Sequence, residues 1–364
     1  MQNRGALKPS VLLFRTGRLG PLSMDLLFNI SFNGCNARSE AILLTAASWT
    51  LIVGGWWNAA MASAQSSHDS DRVPQQHANT GPGKKQSQKY VIVGAGDIAG
   101  CSSLAGAEAT AKLIEQIPGT VFAAGDLAYD RGSSEEFSKC YDTTWGRFKN
   151  RTRPVPGNHE YASADGSPYF AYWGERAGAG KGGYYSFDLG NWHIVALNTN
   201  CDAPAVGGCG VGSAQEKWLK QDLAAHAKSC IVAYGHHALY SSGLFKRHAI
   251  HPELRDLWRD LYVAHADLML AGHEHSYERF APQDPDGHPD PQNGIREIVV
   301  GTGGRSHDPL GLALPNSEER NADSFGVLKL TLFATKYTWE FIPVNGAEGY
   351  HDSGEGTCHN ASGH

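Results

Sequence analysis

Five segments of this chain each run from an apolar, strand-like stretch directly into a side chain able to bind metal. They are residues 91–96 ending in Asp97, 120–125 in Asp126, 153–157 in Asn158 and His159, 231–235 in His236, and 268–272 in His273 and His275. In an open α/β sheet, ligands gather beyond the carboxyl ends of the strands. A chain that repeats this pattern five times is constrained to a sheet fold whose strand ends can converge on one site.

The sequence between these segments supports such a sheet. A helical pattern over 104–117 separates the first two strands, and the alternation of strand and helix predicts a largely parallel sheet covered by helices. Ser213 and Glu216 form an S-x-x-E capping box that opens a helix to about Ala227. Pro252 stands at the expected first turn of another, through about Ala264. Gly190-Asn191 joins residues 184–189 to 193–198 as an antiparallel hairpin, and 327–333 with 337–343 reads as a second pair. Residues 277–294, rich in Pro and Asp, read as a long surface loop near the site. The expected fold is a mixed α/β domain of two packed sheets with helices outside.

Length permits one large domain or two ordinary ones, since the chain has 364 residues. The net charge of −6 and the absence of basic runs leave no electrostatic basis for binding nucleic acid. Seventeen histidines are the unusual count, and imidazole suits zinc, iron and copper.

Residues 41–64 are apolar and end in Met61-Ala62-Ser63-Ala64, preceded by Arg38, as in a secretory signal cleaved after Ala64. The region before it is long for such a signal, which suggests a later start such as Met24. The alternative is an uncleaved membrane anchor over Ala41 to Ala60, close to the ~20 residues a spanning helix needs. With 1–64 as leader, 65–89 reads as a disordered polar linker, 90–345 as the catalytic domain and 346–364 as a C-terminal tail.

Six cysteines follow the leader, an even number consistent with an oxidising compartment. Cys201 and Cys209 bracket a short loop and can staple it; Cys101 with Cys140 is a second candidate pair. Cys230 lies in an apolar run where a buried free thiol is equally compatible.

The ligand chemistry can be read residue by residue. Gly94-Ala95-Gly96 after a strand imitates a dinucleotide fingerprint, but Asp97 stands where backbone should approach pyrophosphate. The Asp126 carboxylate can offer one oxygen to each of two metals about 3.5–4 Å apart. Tyr129 can return its phenol to the same cluster. A phenol of pKa about 10 ionises at working pH only beside a strongly acidic cation, which favours ferric iron. Asn158 supplies a neutral amide oxygen, while His159 can protonate a leaving group with Glu160 as its orienting partner. His273 and His275, two apart in an extended loop, share a side and can serve different metals.

The order G-D-x-A, G-D-L-A-Y-D, G-N-H-E, G-H-H-A-L-Y and G-H-E-H-S-Y-E-R resembles the calcineurin-like metallophosphoesterases, and among them the small, single-domain purple acid phosphatases. The resemblance spans roughly Tyr90 to Pro343 and implies a four-layer αββα sandwich. It implies that Asp97, Asp126, Tyr129 and His275 hold Fe(III), and that Asp126, Asn158, His236 and His273 hold Fe(II), zinc or manganese. Asp126 and His159 would be catalytic, with a hydroxide generated on the metals attacking a phosphate monoester. The chain departs from the pattern at Ala99, where glycine is usual, and at Ala238, where proline is common. Neither is a ligand. His237 has no counterpart ligand; it is expected behind the metals or facing substrate, with Arg305 and His307 as further substrate contacts. The partner is a small phosphate ester, and the mature chain is expected to be secreted or periplasmic without a membrane span. A phosphodiesterase or nucleotidase is the alternative within the family, and a metal-bound inactive binding protein the alternative outside it.

Overall fold

The computed structural model describes residues 88–360, apart from 179, 181, 228 and 245–252. The expected leader, nearly all of the linker, and Pro252 therefore lie outside the described residues. Fifteen strands are described: β1 (Tyr90–Ala95), β2 (Ala99–Gly100), β3 (Thr120–Ala124), β4 (Ala128–Tyr129), β5 (Thr152–Val155), β6 (Tyr185–Leu189), β7 (Trp192–Ala196) and β8 (Cys230–Tyr234). The remainder are β9 (Leu268–Ala271), β10 (Tyr277–Phe280), β11 (Arg296–Val300), β12 (Ser317–Asn321), β13 (Gly326–Leu332), β14 (Lys336–Pro343) and β15 (Asp352–Thr357). The helices are α1 (Ala105–Glu115), α2 (Ser134–Glu136), α3 (Ser167–Trp173), α4 (Ala214–Ala225) and α5 (Leu254–Val263).

They form two main sheets, ordered β15-β14-β13-β1-β3-β5 and β12-β10-β11-β9-β8-β7-β6. Pairs β1–β3, β3–β5, β7–β8, β8–β9 and β9–β11 are parallel, so the ends of the ligand-bearing strands fall on one side of each sheet. These strands are nearly continuous apolar runs because both of their faces are covered. Along β8, Val232 and Tyr234 join the cluster shared with the first sheet, whereas Ile231 and Ala233 join the cluster under α4 and α5. The period-2 alternation thus divides one strand between two cores. Phe122 of the first sheet meets Tyr234 of the second at 6.0 Å between ring centroids. Both sheets and their helices form the expected mixed α/β sandwich.

Four expectations are corrected or refined. Residues 277–280 are not loop but β10, buried between β11 and β12; its charged residues are satisfied internally, which hid the strand from a hydrophobicity reading. Glu278 accepts from Ser317 Oγ and the Ser242 amide, and Arg279 pairs with Asp352 and Glu318. Ser213 caps α4 by accepting from the Glu216 amide at 3.1 Å, but the Glu216 carboxylate goes to the Gly212 amide instead of completing the box. Within 346–364, read as a tail, β15 pairs with β14. That segment is anchored by a Cys230–Cys358 disulfide, so Cys230 is not a free thiol. Cys101–Cys140 and Cys201–Cys209 form as anticipated. Among the described residues no helix is long and apolar enough to cross a membrane.

Candidate functional site

The first sheet delivers Asp97 after β1, Asp126 after β3, and Asn158 and His159 after β5. The second delivers His236 after β8 and His273 and His275 after β9. All seven side chains expected to bind metal come together. The Tyr129 phenol oxygen lies 2.8 Å from Asp97 Oδ1, 2.9 Å from Asp126 Oδ2 and 3.1 Å from His275 Nε2. Beside this group, Asn158 Oδ1 is 3.0 Å from His236 Nε2 and 2.9 Å from His273 Nδ1. His236 Nε2 is in turn 3.3 Å from Asp126 Oδ2. One carboxylate oxygen of Asp126 therefore faces both groups.

The backbone under these residues is strained. Asp97, Asp126 and His273 have φ of 61°, 52° and 71°, a region L-residues avoid at a cost of about 1–3 kcal/mol each. Such conformations persist only where surrounding bonds over-determine them. Glu160 does much of this: its carboxylate accepts from the amides of Asp126 (2.9 Å), Leu127 (2.9 Å), Ala128 (3.3 Å) and Gly157 (2.7 Å). Asp97 Oδ2 accepts from the His273 amide at 2.8 Å, tying the first sheet's loop to the second's. Gly157 admits the close approach of these loops, since a Cβ there would stand 2.1 Å from Asp126 Oδ1.

The electrostatics draw positive charge to the centre. Burial opposes ionisation of Asp126, yet the charge and hydrogen bond of His236 outweigh it and hold the carboxyl far below the usual range. Asp97 is lowered for the same reasons, with His275 as its main partner. Burial likewise works against His236, but Asp126 and then Asp97 push its pKa up to about 9. His273 is depressed to about 4 by burial and by its neighbour His236. Burial and then the facing carboxylates raise the Tyr129 phenol well above its ordinary value. Two buried carboxylates with their oxygens turned inward form a cation-seeking centre, with three imidazoles, an amide and a phenol completing a nitrogen and oxygen donor set.

Hydrogen bonds behind the cluster choose which ring nitrogen faces in. His236 Nδ1 donates to the Ala124 carbonyl at 2.9 Å, which leaves Nε2 to the site. His275 Nδ1 pairs with Ser306 Oγ at 2.7 Å, again leaving Nε2 inward. His159 Nδ1 donates to the Asp130 carbonyl at 2.6 Å, and its Nε2 lies 3.8 Å from Asp126 Oδ2. Glu160 is thus not the orienting partner of His159; its acceptor capacity is taken by the backbone amides.

The remaining candidates lie around this centre. His237 is buried, with Nδ1 paired to Thr199 Oγ1 at 2.9 Å and its ring 4.5 Å from that of His273. Arg305 crosses the Tyr129 ring at 5.0 Å and pairs with Asp130 at 2.7 Å. His307 stacks on Phe325 at 4.0 Å. Asp130, Thr199 and Ser306 were not singled out from sequence. Asp130 closes the G-D-L-A-Y-D motif, whereas nothing local in the sequence marks the other two.

Comparison with known proteins places this geometry in context. The family model for calcineurin-like phosphoesterases matches residues 83–277. Purple acid phosphatase 23 of Arabidopsis thaliana is 29% identical over 206 residues, 46% of this chain and 43% of that protein. Human acid phosphatase type 7 is 31% identical over 188 residues, 44% of this chain and 41% of that protein. The match therefore spans less than half the length of these curated relatives. A purple acid phosphatase from yellow lupin seeds superposes with a TM-score of 0.59 at 21% identity, covering 74% of this chain and 54% of the lupin chain, a likeness of fold.

Proposed function

Because this chain belongs to the calcineurin-like phosphoesterases, we propose that it hydrolyses phosphate monoesters at a two-metal centre. Asp97, Asp126, Tyr129 and His275 would hold one ion, and Asp126, Asn158, His236 and His273 the other. The observation that carries this reading is Asp126 Oδ2, 2.9 Å from the Tyr129 phenol and 3.3 Å from His236 Nε2, which would let Asp126 serve both groups. The donor set fits: the phenol suits Fe(III), and the imidazole and amide donors suit Fe(II), zinc or manganese. Two such ions supply acidified water and a polarised phosphoryl oxygen.

The chain's own groups do the rest. His159, with its Nδ1–H committed to the Asp130 carbonyl, would donate a proton to the leaving-group oxygen from Nε2 as the imidazolium, returning to the neutral ring with Nδ1–H retained. Arg305, aligned by Asp130, takes the phosphate's outer oxygens, and His307 lines the approach. His237 acts from behind, steadying the ring of His273. Residues 90–345 are the catalytic domain, with β15 clasping its edge. The three disulfides support a secreted chain.

The test is metal analysis with a visible spectrum, alongside hydrolysis of p-nitrophenyl phosphate and bis-p-nitrophenyl phosphate. A purple band and preference for the monoester are expected. A colourless protein preferring the diester would assign the site to a phosphodiesterase instead, and a metal-loaded chain that cleaves neither would be a binding protein.

A further inference from the structure

Two glutamates clamp the segment between β3 and α2. Glu160 takes the amides of Asp126, Leu127 and Ala128, and Glu136, the last residue of α2, takes those that follow. Glu136 Oε1 accepts from the Asp130 amide, and Oε2 accepts from the amides of Arg131 at 3.1 Å and Ser133 at 2.8 Å. The Gly132 amide between them goes to the Ala128 carbonyl at 2.9 Å. Of these bonds only the one from Ser133 belongs to the capping box of α2, in which the Ser133 hydroxyl accepts from the Glu136 amide at 3.2 Å. The bonds to Asp130 and Arg131 reach past the cap, further than starting a three-residue helix requires.

The residue held in this way is Asp130. Its carbonyl accepts from His159 Nδ1–H at 2.6 Å, and its carboxylate pairs with Arg305 at 2.7 Å. The Arg305 guanidinium lies 5.0 Å from the centre of the Tyr129 ring, and the His159 ring lies 4.4 Å from the same ring. The Asp130 side chain is 72% exposed, so packing does not fix the direction of this peptide; the bond to its amide does. An imidazole is aimed only as well as the carbonyl that anchors its Nδ1–H, and a misplacement of about 1 Å at a reacting group costs on the order of a hundredfold in rate.

We propose that Glu136 is a positioning residue for proton transfer: by fixing the Asp130 peptide it aims His159 Nε2 at the ester oxygen. The inference rests on the phosphomonoesterase reading above. As the P–O ester bond breaks, its electron pair goes to the leaving oxygen, and the oxygen of water takes its place on phosphorus. The Nε2 proton of the His159 imidazolium passes to the leaving oxygen, and the neutral ring, with Nδ1–H retained, recovers a proton from solvent. An alkoxide needs that proton far more than p-nitrophenolate, whose charge is spread over the ring and nitro group. Positioning therefore shows as a dependence on the leaving group, which a general loss of structure would not produce.

The experiment compares turnover of glycerol phosphate, an alkyl ester, with that of p-nitrophenyl phosphate in the parent, Glu136→Gln, His159→Ala and the double variant. Glutamine keeps one accepting oxygen, so half of the clamp is lost while the chain can still fold, as circular dichroism would verify. In Glu136→Gln the ratio of kcat for the alkyl ester to kcat for the nitrophenyl ester should fall about tenfold or more. In a His159→Ala background the same substitution should change that ratio no further. Glu135→Gln, which removes the neighbouring carboxylate paired with exposed Lys139, should keep the parent's ratio. An unchanged ratio in Glu136→Gln, an equal loss on both esters, or a further fall in the His159→Ala background overturns the proposal. Failure of the underlying reading would appear separately, as a His159→Ala ratio equal to the parent's or a parent that cleaves neither ester, and would remove this proposal with it.

Discussion

The seven-residue centre and the hairpin cluster of Asp188, His193, Asp222 and His226, where β6–β7 packs on the end of α4, both pair carboxylates with imidazoles, but their backbones are built differently. The centre gathers residues from Asp97 to His275 across two sheets, and three of them sit at positive φ. The hairpin cluster takes Asp188 and His193 from adjacent strands and Asp222 and His226 from one helix end, none of them at positive φ. Strain of this kind is retained where a side chain must point in one direction only. A cluster whose hydrogen bonds only fasten two elements together can use ordinary strand and helix positions.

The contrast can be broken most directly at the shared carboxylate. Asp126→Asn should reduce phosphomonoester turnover about a thousandfold or more, in line with the several kcal/mol a metal contributes to such a transition state; steady-state kinetics on p-nitrophenyl phosphate would read it. Gly157→Ala, whose methyl would press on Asp126 Oδ1, should cost about a hundredfold through displacement of that ligand, with circular dichroism unchanged. Glu160→Gln should lower turnover or metal affinity by about 10–100-fold, the usual effect of removing a group that orients a ligand. His226→Ala should leave turnover within about twofold, and a loss comparable to that of Glu160→Gln would erase the distinction between the two regions.

The smallest expected effect on activity is at Glu297, a buried carboxylate outside both clusters. It accepts from the amides of Leu239 at 2.8 Å and Tyr240 at 3.0 Å, in the loop that follows His236. Burial pushes its pKa up to about 8, from an ordinary 4.5. A group raised on folding favours the folded state fully below the unfolded pKa, and that contribution is lost as pH rises through the folded value. The melting temperature of the parent relative to Glu297→Gln should therefore fall between pH 4.5 and 8, and a difference independent of pH would refute the assignment.

Much of the centre was legible because its signals are local. An apolar run, a glycine and a polar side chain suffice to mark a strand end, and Tyr129 three residues after Asp126 does return its phenol to Asp97 and Asp126. The place of Glu160 beside His159 in the chain says nothing about the four amides that fold around its carboxylate. β10 is hidden in the sequence because Glu278 and Arg279 look solvent-seeking until Ser317, Asp352 and Glu318 are brought to them. Cys230 could not be paired because Cys358 lies 128 residues away.

Residue types, strand order within each local unit and the choice of donor atoms for a metal follow from the chain itself, since period, turn chemistry and side-chain chemistry act over a few residues. Which oxygen of Asp126 faces both Tyr129 and His236, which nitrogen each histidine turns inward, and the meeting of His193 with His226 are settled only by packing. Hydrogen bonds between segments distant in the chain set those orientations, and such bonds exist only once the two sheets and α4 have closed on one another.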